Sequence, residues 1–354
     1  DLGDFVGVEG ELFITRTEEE TIRVSSWMLL SKALLPLPEK FHGLTDVETR
    51  YRQRSLDLIS NEEVMDVFKK RTQIVKEIRN FLDGRGYFEV ETPMMHQIAG
   101  GASAKPFKAH YNALSIDVFM RIAPELYLKR LIVGGMDRVY EMNRNFRNEG
   151  LDRTHNPEFT CLEIYEAFGD MRTMQELIQS MFAHLAETVF GKMEFEWMDN
   201  TINLAGPWRE VAYHDLIKEH LGDDWFERTL DDAKAKAEEL EVHVEDDMDF
   251  KQVTHEIYDK TIESTLIQPT FITRLPKELV PLANQCADDP ELVDVFELII
   301  GGKEIAPAYS ELNNPIEQRK RFEEQLELGK RGDEESMVLD EDFLRALEFG
   351  MPPT

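Results

Sequence analysis

Residues 146 to 163 read Phe-Arg-Asn-Glu-Gly-Leu-Asp-Arg-Thr-His-Asn-Pro-Glu-Phe-Thr-Cys-Leu-Glu. Arg147 and Glu149 stand two apart at the end of an extended run, which predicts that they share one strand face. A polar loop is expected from Gly150 to His155. A second extended run then brings Phe159, Cys161, Glu163 and Tyr165 to one face. An arginine, a flat aromatic ring and two carboxylates on one side of a hairpin can clamp a nucleotide and a cationic partner.

A second constellation lies near the end of the chain. Val293 to Ile300 is an apolar strand broken by Glu297, and Gly301-Gly302 is a two-residue hairpin signal. With that loop, residue 299 pairs with 304. Glu297 and Glu304 are then diagonal neighbours on one face, roughly 7 Å apart. Two carboxylates so placed repel each other unless a cation sits between them, and hard oxygen ligands of this kind suit Mg²⁺ held together with substrate phosphates. The plain alternative is two solvated glutamates on an open sheet face. Gly100-Gly101-Ala102 forms a loop that lets the backbone approach a ligand closely.

These groups need a large scaffold, and 354 residues can supply one big domain or two. The composition, 42% hydrophobic and 31% charged, is that of a globular protein without an apolar run long enough for a transmembrane helix. Cys161 and Cys286 are the only cysteines. Two thiols so far apart point to a reducing cytoplasm and not to a zinc cluster. The net charge of −30 argues against nucleic acid, which needs local Lys and Arg. Two basic groups soften that exclusion: Arg50, Arg52 and Arg54, and the set Lys129, Arg130, Arg138, Arg144 and Arg147. Much of the acid lies between Glu219 and Asp249.

Residues 60 to 85 are expected to form a helix, with Ser60 and Glu63 as a capping box and Gly84 and Gly86 as its stop. A short strand follows at 87–91, ending in Thr92-Pro93. Val118 to Ile122 reads as a strand, Glu125 to Val133 as a helix behind Pro124, and Val139 to Phe146 as the first strand of the hairpin. Residues 173–190 form another helix. Residues 213–268 read as a helical, acidic, peripheral segment. Phe5 to Ile14 and Thr21 to Val24 flank a polar turn and resemble the last strands of an OB-fold. Leu35-Pro36-Leu37-Pro38 looks like a linker.

The hairpin at 146–163 resembles motif 2 of the class II aminoacyl-tRNA synthetases, and its wording is similar to the bacterial lysyl-tRNA synthetase branch. Helix, strand and proline at 60–93 resemble motif 1, which implies a homodimer interface. The resemblance implies an α+β protein: an antiparallel sheet flanked by helices, preceded by part of an OB-fold barrel. It divides the chain into an OB-fold remnant (1–38), a linker (39–60) and a catalytic domain (61–354). It implies lysine activation with ATP, transfer to tRNA(Lys), and Mg²⁺ on Glu297 and Glu304. Arg147 is then the catalytic group on the α-phosphate, Phe159 stacks under adenine, and Glu149 accepts from the adenine amino group. His155 either touches the outer phosphates or caps its own loop. Ala308-Tyr309-Ser310-Glu311-Leu312-Asn313 resembles the lysine-branch segment whose glutamate binds the ε-ammonium. Glu163, Tyr165, Tyr309 and Glu311 would line that pocket, since a buried ammonium needs carboxylates and a polar partner. Gly101 and Glu125 map to the contacts of the amino acid and its α-amino group. Taken alone, Glu125 is a helix N-terminal carboxylate meeting the macrodipole.

The sequence departs from that pattern in three places. The OB-fold is partial. The chain reaches Gly350-Met351-Pro352-Pro353-Thr354 before the glycine-rich strand and arginine-bearing helix of motif 3, which implies a chain truncated at both ends. Pro307 stands where many relatives carry a substrate-holding asparagine. Two other readings remain: a paralogue that attaches lysine to a protein, and a non-catalytic protein that keeps the fold for binding.

Overall fold

The computed structural model describes residues 2–36, 43–102, 104–152, 155–330 and 337–354. The chain divides into two compact units, Asp1–Val75 and Lys76–Thr354, each taken by itself below.

The first unit opens with an antiparallel ribbon of β1 (Phe5–Ile14) and β2 (Glu20–Ser31). The second strand runs seven residues past Val24, because Ser25 and Ser26 interrupt the apolar alternation without interrupting the ladder. The register shifts at Glu9/Gly10, where a β-carbon on Gly10 would lie 2.2 Å from the Arg23 carbonyl oxygen. Only glycine fits so close a backbone approach.

Residues 47–60, read as linker, are two short helices, α1 (Val47–Arg52) and α2 (Arg54–Ser60). Residues 37–42, which include half of the Leu-Pro-Leu-Pro linker, lie outside the described residues. The helices close around Asp57, which is fully buried. Its carboxylate accepts from Arg50 Nε at 2.7 Å, from Asn61 Nδ2 at 2.7 Å and from Arg54. Arg52 pairs with Glu48 at 3.0 Å. The Arg50–Arg54 cluster is therefore neutralised from within and offers no bare basic patch. The capping box is also corrected. Ser60 ends α2 and its Oγ makes no hydrogen bond, while α3 (Glu62–Asp83) starts after Asn61.

The second unit carries the chemistry. The hairpin of β7 (Arg138–Phe146) and β8 (Glu158–Glu166) pairs in regular antiparallel register, and the short β3 (Phe88–Glu89) lies parallel along β7. A neighbouring three-stranded sheet joins β4 (Met95–His96), β6 (Ile116–Met120) and β5 (Lys108–Tyr111). The helix α4 occupies Glu125–Val133, the span its sequence predicts. The helix α5 (Met171–Leu185) packs Met174, Leu177, Ile178 and Met181 against Tyr140, Phe271, Phe296 and Leu298. A small ribbon, β9 (Glu194–Trp197) and β10 (Asn200–Asn203), follows.

A four-stranded sheet is ordered β11 (Arg209–Ala212), β12 (Thr270–Thr273), β13 (Val295–Ile299), β14 (Glu304–Tyr309). β11 and β12 are parallel; the other pairings are antiparallel. Pro307 is tolerated because β14 is the edge strand, where a missing backbone donor breaks no ladder.

The acidic segment holds α6 (Tyr213–Leu221), α7 (Leu230–Glu239) and α8 (Phe250–Ile257). It is less peripheral than its composition suggests. Tyr213, Ile217, Trp225, Val253, Ile257 and Ile262 are buried against Val211, Ile272, Val295 and Ile299 of the sheet. The last helices are α9 (Pro315–Lys330) and α10 (Glu341–Glu348), the latter packing Phe343 and Leu347 with Leu128 and Ile132 of α4. No described helix is long and apolar enough to cross a membrane.

Candidate active site

The β7–β8 ladder sets the floor of the site. Glu141 opposes Glu163, Asn143 opposes Cys161 and Asn145 opposes Phe159, and Arg147 N donates to Pro157 O at 2.9 Å just beyond the strand. Directly opposed residues share a face, so Arg147 joins Phe159, Cys161, Glu163 and Tyr165 as expected. Arg147 Cζ lies 5.4 Å from the centre of the Phe159 ring. Of the five bases grouped near the site by sequence, four are taken up. Lys129 meets Glu125 and Glu311, Arg130 meets Asp340, Arg138 meets Glu166 and Arg144 meets Glu158. Among the described residues, Arg147 alone of the five has no carboxylate within 4 Å. Its guanidinium makes one long contact, Nε donating to Ile122 O at 3.5 Å, and is otherwise open to a ligand among the described residues.

One expectation for the loop changes, and one of two alternatives is settled for His155. Glu149 does not share a strand face with Arg147, because β7 ends at Phe146 and Glu149 sits exposed in the turn. His155 caps its own loop: its N–H donates to Asp152 Oδ1 at 2.8 Å and its Nδ1 lies 2.8 Å from Asp152 Oδ2. Arg153 and Thr154, within the predicted loop, are outside the described residues.

Next to the floor is a pocket of carboxylates. Gly101 has φ +86°, and a β-carbon there would lie 3.1 Å from Glu125 Cβ, so the glycine loop abuts the start of α4. Glu125 accepts from Tyr309 OH at 2.6 Å and from Lys129 Nζ at 2.5 Å. Lys129 also pairs with Glu311. Tyr165 OH donates to Glu163 at 3.0 Å, and among the described residues Glu163 has no ion pair. Burial, reinforced by Glu125, pushes the Glu163 carboxyl from 4.5 up to about 8. Burial also raises Glu311, with Lys129 opposing it. Burial would lower the Lys129 ammonium, but Glu125 and Glu311 outweigh it and hold it above its ordinary value. The Cys161 thiol is pushed up to about 12 by burial and Glu163, which disfavours the thiolate.

Behind this pocket Arg121 and Glu141 form a buried pair at 2.6 Å, each 1% exposed. Arg121 also donates to Arg144 O and Thr92 Oγ1, and Glu141 accepts from Thr92 N and Oγ1. Nε and Nη1 of Arg121 and both oxygens of Glu141 are hydrogen-bonded, the condition under which buried charges are tolerated.

The Gly301–Gly302 turn forms as predicted, with φ +64° and +69°, and Ile299 pairs with Glu304. One bulge follows, so Glu297 opposes Pro307. Burial and the charge of Glu304 push the Glu297 carboxyl to about 8; Glu263 adds to this, while a long contact from Tyr258 OH, 3.5 Å, opposes it. Glu304 is exposed, yet it too is raised by the surrounding protein and Asp259, with Arg147 opposing. The bulge displaces the predicted diagonal register by one residue, yet the charge of Glu304 still reaches Glu297 and raises it. No group of three or more His, Cys, Asp or Glu side chains converges in ligating geometry among the described residues. Two hard oxygen donors with no third protein ligand fit Mg²⁺ that completes its shell with phosphate and water.

Sequence reading missed three participants, Arg121, Glu141 and Glu263, and the pairing of a fourth, Lys129. Lys129 lies one helical turn beyond Glu125 and reads as an ordinary i,i+4 pair. Arg121, Glu141 and Glu263 carry no local signal, because their partners come from distant strands.

The sequence pattern of the family described as tRNA synthetases class II (D, K and N) matches residues 46–354. A relative from Lactococcus lactis subsp. cremoris, "Lysine--tRNA ligase", is 53% identical over 358 residues, covering all of this chain and 72% of the relative. Relatives with the same description from Staphylococcus saprophyticus and Carboxydothermus hydrogenoformans are 50% and 51% identical, again over the whole chain and 72% of their own length. Identity at this level over the full chain, with the motif 2 hairpin and its arginine in place, makes the chain a member of the class II tRNA synthetase family that serves D, K and N.

Proposed function

We propose that this chain is the lysine-activating body of a lysine–tRNA ligase. The observation that carries the choice of amino acid is the pocket: Glu125, Glu163 and Glu311 gather around one internal ammonium, and Glu163 has no cation of its own among the described residues. An aspartate pocket would require an uncompensated basic group there, and the one ammonium present, Lys129, is already paired with Glu125 and Glu311.

In the first step the lysine carboxylate attacks the α-phosphorus of ATP. The new O–P bond forms as the bond to the bridging oxygen breaks, and pyrophosphate leaves. The attacking carboxylate is ionised at neutral pH, so no general base is needed, and the residues act by position and charge. Arg147 holds the α-phosphate with a planar fork. Phe159 supplies the stacking surface for adenine, Glu149 accepts from its amino group, and His155 reaches the outer phosphates only if its cap on Asp152 opens. Glu125 takes the α-ammonium beside Gly101; Glu163, Tyr165, Tyr309 and Glu311 surround the ε-ammonium. Glu297 and Glu304 would hold Mg²⁺, which supplies positive charge against the pyrophosphate. Transfer to the 3′ end of tRNA(Lys), a homodimeric assembly and a cytoplasmic location complete the proposal.

The test is amino-acid-dependent exchange of label between pyrophosphate and ATP, in the chain carried on to the length of its relatives. Lysine alone of the twenty amino acids should support it. Exchange with aspartate or asparagine, or none from correctly folded protein, would overturn the reading.

A further inference from the structure

One ammonium belonging to the chain stands inside the proposed lysine pocket. Lys129 is completely buried, with Nζ 2.5 Å from Glu125 Oε1, in ion-pair contact with Glu311, and 5.5 Å from the centre of the Tyr309 ring. A lysine so deep is tolerated only when paired. The pairing joins two elements: Glu125 on α4 and Glu311 just past β14. Glu163 on β8 is left without a cation among the described residues, held only by Tyr165. The nearby Arg121–Glu141 pair is neutral within itself. Once Glu163 and Glu311 are ionised, as ammonium binding requires, three carboxylates and one ammonium leave two uncompensated negative charges, which the two ammonium groups of a lysine-like ligand can meet.

We infer that Lys129 is a positioning residue that sets amino-acid specificity: it ties Glu125 to Glu311 and fixes the pocket's residual charge so that the ligand must bring two ammonium groups. The inference rests on the lysine reading above. Without Lys129, three carboxylates face two ammonium groups, and the surplus negative charge is stranded in a buried site. Removing one carboxylate as well restores the balance. A lysine that served only as packing would behave otherwise, since two truncations in contact would add their damage.

Calorimetric titration of lysine into the wild-type chain, Lys129→Met, Glu311→Gln and the double variant separates these cases. Lys129→Met should weaken lysine binding at least about tenfold, because Glu125 and Glu311, deprived of the cation they share, repel each other out of the positions that meet the ligand. The double variant should bind at least about tenfold more tightly than Lys129→Met, a coupling read directly from the cycle. A double variant no tighter than Lys129→Met, or a Lys129→Met chain that binds like wild type, overturns the inference. If Lys129→Met fails to fold, thermal unfolding decides: the double variant must fold and melt above it, and equal failure counts against the proposal. A folded wild-type chain that does not bind lysine refutes the lysine reading itself, an outcome distinct from any failure confined to the variants.

Discussion

Lowering the pH should loosen lysine from the pocket, and Glu163 sets the size of the effect. In the ligand-free chain its carboxyl is held at about 8, and the first cause is burial, followed by the charge of Glu125. An ε-ammonium binds the ionised form. At pH 6 the empty pocket must therefore release a proton from Glu163 before lysine can bind well. Two pH units at about 1.36 kcal/mol each come to about 2.7 kcal/mol, or roughly 100-fold in affinity between pH 6 and the plateau above pH 8. Glu311, also raised, steepens the slope, while Lys129 and Arg121 oppose the rise at Glu163. The same shift runs the other way in stability. Between 4.5 and about 8 the folded chain keeps a proton that the unfolded chain has lost, so the ligand-free fold weakens as pH rises through that window. Calorimetry across this range, kept below the pH at which lysine's own α-ammonium titrates, measures the dependence. Glu163→Gln should flatten the slope by about one proton. An affinity independent of pH between 6 and 8, or a Glu163→Gln chain with an unchanged slope, would refute the reasoning.

Other substitutions probe the remaining parts of the site. Arg147→Ala should lower lysine-dependent pyrophosphate exchange about 100-fold or more, the scale of one lost oxyanion donor, while the lysine dissociation constant changes little. Arg121→Met should destabilise the fold by about 3–5 kcal/mol, because it leaves Glu141 charged and buried without its partner; urea unfolding checks this. Glu297→Gln should raise the Mg²⁺ concentration needed for exchange at least about tenfold. It should also raise the melting temperature of the metal-free chain, since it removes one of two carboxylates that repel each other.

Local rules carried much of the site. Period-two spacing placed Phe159, Cys161, Glu163 and Tyr165 on one face, and the β8 ladder keeps them there. Gly301-Gly302 fixed the turn and with it the Ile299–Glu304 register. Pro124 and the apolar run behind it delimited α4. What failed depended on contacts between distant segments or on a strand ending early. Glu149 left the strand face because the ladder stops near Arg147. Ser60 lost its capping role to a helix ending at that residue, and Arg50 and Arg54 turned inward to Asp57. Lys129 was visible as a cation near the site, but its ion pair with Glu311 is a tertiary fact that no spacing rule encodes. The acidic segment was legible as helices but not as a wall of the core, because its net charge hid the apolar stripe that packs on Val295 and Ile299.

The claim on which the account depends is that buried carboxylates select an amino acid by its side-chain ammonium. Titration of the chain at about pH 8 with lysine and with norleucine, which has the same carbon chain but no ε-ammonium, tests it directly. The account predicts that lysine binds at least about 100-fold more tightly, because norleucine leaves Glu163 and Glu311 without their cation. Equal binding of the two ligands would contradict it.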